Sequence, residues 1–261
     1  MKKYLTIFSI FFRTSLAKDL SFRFSFFAGI IGAFCYVGLS YFMVYFLMSH
    51  VSFGRWNEHE MFVMLGNFYI IEYTIFFLFW RGFIYVVRDI HKGMFDYYLL
   101  RPADSQFLIS IKGGGIHNLL ALFFGIGTLI YGVLITGSSP SLFHILLYVV
   151  TITASILNFY SFLLMLVCLN FKYGYLEEVI YFAFTFEDFT RYPMDAFKKL
   201  PFYLFIIATP FSALATIPAK ILIDTNISIN EVSIFLLASM VFFYCARKVW
   251  LISVNSYSSS S

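Results

Sequence analysis

Long runs without charged side chains organise the chain. No Asp, Glu, Lys or Arg occurs between Phe24 and Gly54, and a second uncharged run covers the 59 residues from Gly113 to Phe171. Because one helix needs about 20 apolar residues to cross a bilayer, the second run holds two spans. Gly137–Pro140 supplies the turn between them, since glycine and proline favour turns. The pattern predicts transmembrane helices over 24–50, 61–80, 116–136, 142–169 and 231–250.

The segment after residue 172 has a different pattern. The acid pairs Glu177–Glu178 and Glu187–Asp188 enclose only eight uncharged residues. This is short for a helix in contact with lipid, so the acids either line water or pair with basic residues such as Arg191. We predict a further span over about 173–190, which brings the total to about six at about 20 residues each.

Prolines interrupt the next apolar stretch, Leu200–Ala219, at Pro201, Pro210 and Pro218. A proline inside a helix removes a backbone donor and frees a carbonyl group. We therefore predict a kinked or broken helix whose freed carbonyls bond to neighbouring helices or to water.

The N-terminal segment, 1–23, is predicted to lie on the membrane surface. Leu5, Phe8 and Phe12 recur at helical spacing, with Arg13 on another face, which is typical of interfacial amphipathic helices. A signal peptide is the competing interpretation, because a basic start precedes an apolar stretch. However, Arg13 ends that stretch, and no small-residue cleavage site follows.

Composition narrows the class of protein. Hydrophobic residues make up 61% of the chain, aromatic residues 22% and charged residues 12%, whereas soluble domains carry roughly 25% charged residues. The chain must expose much apolar surface to lipid, which excludes an ordinary soluble enzyme. Its basic residues form no continuous face, so we expect no nucleic-acid partner. Its histidines and cysteines lack metal-ligand spacing, so no metal site is expected.

Lys and Arg predict the orientation, because they are enriched in cytoplasmic loops. With both termini inside, 13 of the 18 basic residues are cytoplasmic and 5 are outside. We therefore expect a multi-pass protein of the inner or plasma membrane with both termini in the cytoplasm. One alternative stays open, because placing Arg191–Lys199 inside as well changes the count to 16 and 2.

The longest polar connection follows the second predicted span. Ile90, Met94 and Tyr97 keep helical spacing, which predicts an amphipathic helix between two spans. Pro102 stops it, because proline lacks a backbone donor. The helix is either a connector on the membrane surface or a docking element for a cytoplasmic partner.

Two motifs carry a resemblance to a known family. The first is GMFDYYLLRP, from Gly93 to Pro102, followed by Gln106-Phe107, and the second is the proline-spaced region from Tyr192 to Pro218. Together they resemble the integral permease subunits of type-2 ABC transporters, in particular a prokaryotic branch of exporter-like permeases. With the predicted spans, the resemblance extends over nearly the whole chain.

The resemblance implies a coupling helix from about Arg88 to Leu100 that docks on a separate ATPase subunit. ATP and Mg²⁺ are expected on that partner, because this chain has no GxxxxGK[ST] phosphate loop. We expect no cofactor on the chain itself, and a second permease, identical or paralogous, to complete the substrate pathway as a dimer. The predicted coupling residues of the region 88–104 are Arg88, Asp89, Lys92, Gly93, Phe95, Asp96, Arg101 and Pro102.

The resemblance also implies short re-entrant helices over 191–223 near the outer face, acting as an external gate. This placement disagrees with the alternative charge count. The predicted gate residues are Pro193, Phe197, Pro201 and Pro210.

Polar residues inside the spans are the remaining candidates. Glu72 lies near the middle of the second span, where a carboxylate is costly unless it is paired, water-exposed or protonated. Either it binds a cationic substrate, with Tyr69 and Phe76 as aromatic lining of the pathway, or it bonds structurally to another helix. Asn67 and Asn158 are expected to form hydrogen bonds between helices.

The function predicted from these features is the transmembrane permease subunit of an ATP-driven ABC exporter, such as a multidrug efflux system, and not an enzyme. Two alternatives stay open. One is an intramembrane lipid-modifying enzyme, for which the acids at 177, 178, 187 and 188 lack an accompanying histidine. The other is a non-transporting scaffold or sensor subunit.

Overall fold

The computed structural model describes residues 2–21, 23–50, 56–112, 115–198, 201–223 and 227–257. Within these residues every regular element is helical. The helices are α1 Lys2–Ser21, α2 Arg23–His50, α3 Glu58–Ile75, α4 Arg81–His91, α5 Asp96–Leu99, α6 Ser105–Ser110, α7 Ile116–Ile135, α8 Leu142–Tyr173, α9 Glu177–Glu187, α10 Met194–Phe197, α11 Phe202–Ile223 and α12 Ile229–Asn255. A π-helical turn, Phe76–Trp80, joins α3 to α4, and a 3₁₀ turn, Asp188–Arg191, follows α9.

The described helices confirm the all-α, polytopic prediction. The predicted span over 173–190 corresponds to α9, which at 11 residues is shorter than the about 20 that a crossing helix needs. The total of six spans therefore stays a prediction. In the part of the chain that the structure describes, five helices are long and apolar enough to cross a membrane: Phe27–Leu47, Glu58–His91, Asn118–Ile135, Leu142–Tyr173 and Ile229–Asn255.

The second of these helices begins at a capping box and is longer than predicted. The Asn57 side chain accepts a hydrogen bond from the Glu60 N–H, and the Glu60 carboxylate accepts one from the Asn57 N–H, both at 2.9 Å. This reciprocal pair satisfies two backbone donors at the helix start. The helix then continues without a break to His91, because Val86 and Val87 extend its buried apolar face beyond the π-helical turn.

The prediction of one helix from Arg88 to Leu100 is therefore wrong. The long helix ends at His91, and a turn follows in which Gly93 has a φ of 68°, a value that glycine adopts without strain. Only the four residues Asp96–Leu99 are helical again.

Helices α3 and α7 pack closely through glycines. A Cβ on Gly66 would lie 2.7 Å from the Cα of Leu129, and a Cβ on Gly125 would lie 2.8 Å from the Cβ of Tyr69. Real side chains do not approach so closely, so a larger residue would push the two helices apart. The core of the bundle is thus centred on α3.

Three contacts show which segments share an end of the bundle. The Tyr4 and Phe107 rings lie 4.7 Å apart, and the Phe95 and Tyr257 rings 5.2 Å apart, so α1 and the residues after α12 lie with the connection that follows α4. At the other end, Trp56, just before α3, donates to Asp195 at 3.0 Å. Asp195 therefore lies at the end of the bundle opposite Tyr4 and Tyr257, which disagrees with the 16-to-2 charge count; Lys199 is outside the described residues.

Helix α11 passes through two prolines, Pro210 and Pro218, without a break, so of the two predicted forms, kinked or broken, the broken one is wrong. Pro218 cannot donate to the Leu214 carbonyl, one turn earlier. The Ser155 hydroxyl of α8 donates to that carbonyl instead, at 2.7 Å, which confirms the expected bonding of a freed carbonyl to a neighbouring helix. The Asn67 side chain of α3 reaches the next carbonyl, that of Ala215, at 3.3 Å.

Candidate functional site

The connection after α4 exposes an apolar patch at the end of the bundle. Leu100 is 81% exposed, and exposed apolar groups that cluster outside the spans are typical of protein interaction sites. We call this surface the loop patch; its members are Met94, Tyr97, Leu99 and Leu100. Three predicted coupling residues, Lys92, Arg101 and Pro102, are also exposed beside it.

Phe95 does not belong to that surface, although the motif suggested it. Its side chain is fully buried, and its ring lies 5.1 Å from Phe171, 6.0 Å from Trp250 and 5.2 Å from Tyr257. Phe95 therefore anchors the turn to α8 and α12 beneath the loop patch.

Arg88 and Asp89 are engaged in ion pairs within the chain. Arg88 donates to both carboxylate oxygens of Glu177, at 2.9 and 2.7 Å. Asp89 accepts from Lys112 at 2.9 Å and from the Tyr98 hydroxyl at 2.5 Å. Sequence reasoning missed these partners, because nothing in the local pattern pairs α4 with α9.

A second set of bonds attaches the connection to the last helix. Arg247 of α12 donates to Asp104 at 2.5 Å and to the Gln106 side chain at 2.6 Å. Burial alone would raise the pKa of Asp104, but hydrogen bonds from Arg247 and from the Phe107 N–H outweigh it and hold the pKa below its ordinary value. Gln106 continues the network to the Tyr160 hydroxyl of α8 at 3.0 Å. We call Asp104, Gln106 and Arg247 the loop latch.

Of the other predicted coupling residues, Gly93 provides the turn and Asp96 is half-buried at the start of α5. The structure thus brings the eight predicted residues into one region, where they have two different positions. Some form the surface, and the others hold it in place.

Glu72 lies in a buried cluster of charged groups contributed by α2, α3, and α9 with the turn that follows it. Only 6% of its side chain is exposed, and the Tyr36 hydroxyl of α2 donates to its Oε1 at 3.1 Å. Tyr36 is also hydrogen-bonded to Arg191. Glu187, at the end of α9, is 2% exposed and directly precedes Asp188 in the chain. We call Tyr36, Glu72, Glu187, Asp188 and Arg191 the buried charge cluster.

Arg191 is the basic member of this cluster. Its guanidinium group pairs with Asp188 at 3.0 Å, so one of the four acids has the predicted partner Arg191; Glu177 pairs with Arg88 instead. It also lies 4.6 Å from the ring centroid of Phe68, a distance at which an aromatic face stabilises a cation.

The cluster leaves three buried polar atoms without a hydrogen-bond partner: Glu72 Oε2, Glu187 Oε1 and Arg191 Nε. Glu72 therefore has the partner in another helix that a structural role requires, and it also keeps one unused oxygen. Such atoms are rare in native structures and each calls for a reason.

Tyr69 and Phe76, predicted beside Glu72, are packed inside the bundle. Tyr69 is fully buried, and its hydroxyl donates to the Val37 carbonyl at 3.4 Å. Phe76, in the π-helical turn, stacks on Phe184 of α9 at 4.9 Å. The expected hydrogen bonds of the two asparagines are present: Asn67 bonds α11, and Asn158 donates to Ser239 of α12 at 2.7 Å.

The predicted gate residues divide into a buried and an exposed pair. Pro193 and Phe197 are buried, whereas Pro201 and Pro210 are exposed. The segment is attached to α11 by the Met194 N–H, which donates to Thr216 at 3.2 Å. Pro210 lines an apolar cavity of about 330 Å³ between α8, α11 and α12.

Comparison with known proteins supplies the class of the chain. A family model described as "ABC-2 family transporter protein" matches residues 34–261. No curated protein and no solved structure matches the chain. Since the match covers far more than half of the sequence and includes both motifs, the chain belongs to the ABC-2 family of transporter membrane proteins.

Proposed function

We propose that this chain is the permease subunit of an ATP-driven exporter, and that the loop patch is the surface that binds a separate ATPase. The observation that carries the proposal is the exposure of Tyr97 and Leu100 on a connection that Phe95 and the loop latch attach to the bundle. ATP and Mg²⁺ belong to the partner in this proposal. A second permease, identical or paralogous, completes the substrate pathway.

The contacts beneath the loop patch are suited to transmit a movement of the patch to the membrane helices. Helix α4 is continuous with the second span, so a displacement of the turn at Gly93 moves the span with it. The loop latch connects the same region to α12 through Arg247, and Phe95 packs against Trp250. A displacement of the loop patch therefore reaches two membrane helices through short contacts between packed side chains.

The finer assignments rest on the family resemblance and on charge placement. We propose an inner or plasma membrane location with the loop patch and both termini in the cytoplasm, in agreement with the 13-to-5 count of basic residues. Export as the direction of transport rests on the resemblance. Glu72, Tyr69 and Phe76 remain proposed pathway residues, and the segment 191–223 remains the proposed outer gate.

Substitution of the loop patch tests the proposal. The full-length chain, tagged and purified from its native membranes, should bring an ABC ATPase with it, and ATP hydrolysis should depend on the complex. Leu100→Asp should weaken that complex by roughly thirtyfold or more, because loss of a central apolar anchor costs about 2 kcal/mol or more. The amount of co-purified ATPase and its rate of hydrolysis are the measurements.

Ile229→Asp is the matched control. Ile229 is 73% exposed, close to Leu100, but lies at the start of α12, at the end of the bundle opposite the loop patch. It should leave the complex unchanged. If the wild-type chain folds but brings no ATPase, or if both variants retain it equally, the loop patch is not the ATPase site; a scaffold or a lipid-modifying enzyme would give the first result.

A further inference from the structure

The buried charge cluster has more acids than bases. Its described members include three acids, Glu72, Glu187 and Asp188, and one cation, Arg191, which pairs with Asp188 and is hydrogen-bonded to Tyr36. Among the described side chains, the other titratable groups beside Glu72 are tyrosines: Tyr36 of α2 bonds to Glu72, and Tyr69 and Tyr73 belong to α3, the helix of Glu72. If all three acids were ionised, the cluster would carry two uncompensated negative charges.

Hydration cannot stabilise the ionised form of two of the three acids. Asp188 is 58% exposed and can be hydrated, but Glu72 and Glu187 are not. Glu72 lies about 21 Å along the helix from Glu58 at about 1.5 Å per residue, which is well inside a hydrocarbon core of about 30 Å. Ionised groups at such a depth need a partner.

The contacts divide the charge between the two buried acids. Arg191 pairs directly with Asp188, which is also exposed to solvent, and reaches Glu72 through the shared Tyr36 hydroxyl, so Glu72 shares the guanidinium charge. Glu187 makes no ion pair with any described basic side chain, and its buried Oε1 has no hydrogen-bond partner. Glu187 is therefore the acid with no compensation.

We propose that Glu72 and Glu187 form a binding site for one proton, carried on Glu187 while Arg191 balances Glu72. Release is the simple ionisation of the Glu187 carboxyl group, with the proton passing to water. Once it has left, two buried carboxylates compete for Arg191, which is also bound to Asp188 at the start of the proposed gate. The site is independent of the proposed transport role, because its test needs only the folded chain in lipid.

Infrared spectroscopy of the full chain in lipid nanodiscs at neutral pH tests the proposal. The wild type should show the C=O band of a protonated carboxyl group, which Glu187→Gln should abolish. Glu178→Gln, which removes an exposed acid of the same helix, should retain the band. Glutamine has the shape of the neutral acid, so Glu187→Gln should fold, as circular dichroism and gel filtration can verify.

Other outcomes overturn the assignment. Absence of the band in the wild type, its persistence in Glu187→Gln, or its loss only in Glu72→Gln would each do so. A band that appears only when sodium is replaced by choline would identify a metal cation as the occupant instead. If Glu187→Gln does not fold, ¹³C-carboxyl labelling of glutamate decides: one protonated glutamate at neutral pH that persists in Glu72→Gln supports the proposal, whereas its loss in Glu72→Gln, or seven ionised glutamates in the wild type, contradicts it.

Discussion

The two charged regions of the bundle differ in how completely their groups are partnered. At the loop end, each of the acids Asp89, Asp104 and Glu177 is bonded directly to a basic side chain at 2.5–2.9 Å. In the buried charge cluster, Glu72 reaches its cation through Tyr36, and three polar atoms have no partner.

Solvent explains the difference. Side chains at the loop end can rotate towards each other and use water for their remaining bonds, so a full set of pairs costs little and contributes little. Groups at the depth of Glu72 are fixed by packed helices and have no water to complete their bonds. The same types of residue are therefore fully paired at the loop end and incompletely paired in the middle of the bundle. Four substitutions or changes of condition test this contrast.

Arg191→Gln should have the largest effect. It removes the described cation of the buried charge cluster and leaves Glu72 without compensation, which costs about 3–5 kcal/mol for a buried pair. Thermal unfolding in detergent, followed by tryptophan fluorescence, measures the loss. Adding Glu72→Gln should recover much of it, because the uncompensated charge is then gone. A double variant as unstable as the single one would contradict the assigned pairing.

Arg247→Gln should have a moderate effect. Hydrogen bonds to charged groups contribute about 1.5–3 kcal/mol, but the Arg247 and Asp104 side chains are each about a third exposed, so we expect about 1 kcal/mol after solvent screening. Hydrogen exchange of the backbone of α6 should speed up, since the bond to Asp104 holds its start. Lys248→Gln, the adjacent residue outside the latch, serves as control and should change neither quantity.

Acidification should reveal a smaller contribution from the same latch. Since hydrogen bonds hold the pKa of Asp104 below its ordinary value in the folded protein, its contribution is complete above the unfolded pKa of about 3.9. It is lost as the pH falls through the lower folded value. Between about pH 4 and that value, wild type should therefore lose stability faster than Arg247→Gln. Parallel pH profiles for the two proteins would contradict the prediction.

Lys198→Gln should have the smallest effect. Lys198 pairs with Asp195 at 2.6 Å but is itself mostly exposed, and such pairs contribute about 0.2–1 kcal/mol. Asp195 also keeps its bond from Trp56. A change in unfolding temperature that approached the effect of Arg191→Gln would show that exposure does not separate the two kinds of pair.

The spans were predictable from sequence because the absence of charge is a local signal. Arg81 is misleading: a basic residue directly after an apolar run predicts the end of a span, yet the helix continues past it to His91. Phe83, Val86, Val87 and Ile90, which recur at helical spacing and are buried, were the signal that could have shown this. A basic residue ends a helix only when the apolar pattern ends with it.

The candidate sites were predictable only in part. Glu72 stood out because a single acid inside an apolar run is conspicuous. Its partners did not, since Arg191 and Tyr36 come from distant segments that only the folded bundle brings together. Likewise, the motif around Gly93 located the loop patch, but it did not distinguish the exposed Leu100 from the buried Phe95.

The π-helical turn Phe76–Trp80 also fixes an angular register between the middle of the membrane and the loop end. Such a turn accommodates one residue more than an α-helical turn, and each residue of an α-helix advances by about 100° at 3.6 residues per turn. Deleting one residue there would rotate α4 by about 100° relative to α3 and turn Arg88 away from Glu177. The direction in which the loop patch faces therefore depends on five residues of the span as well as on the loop itself.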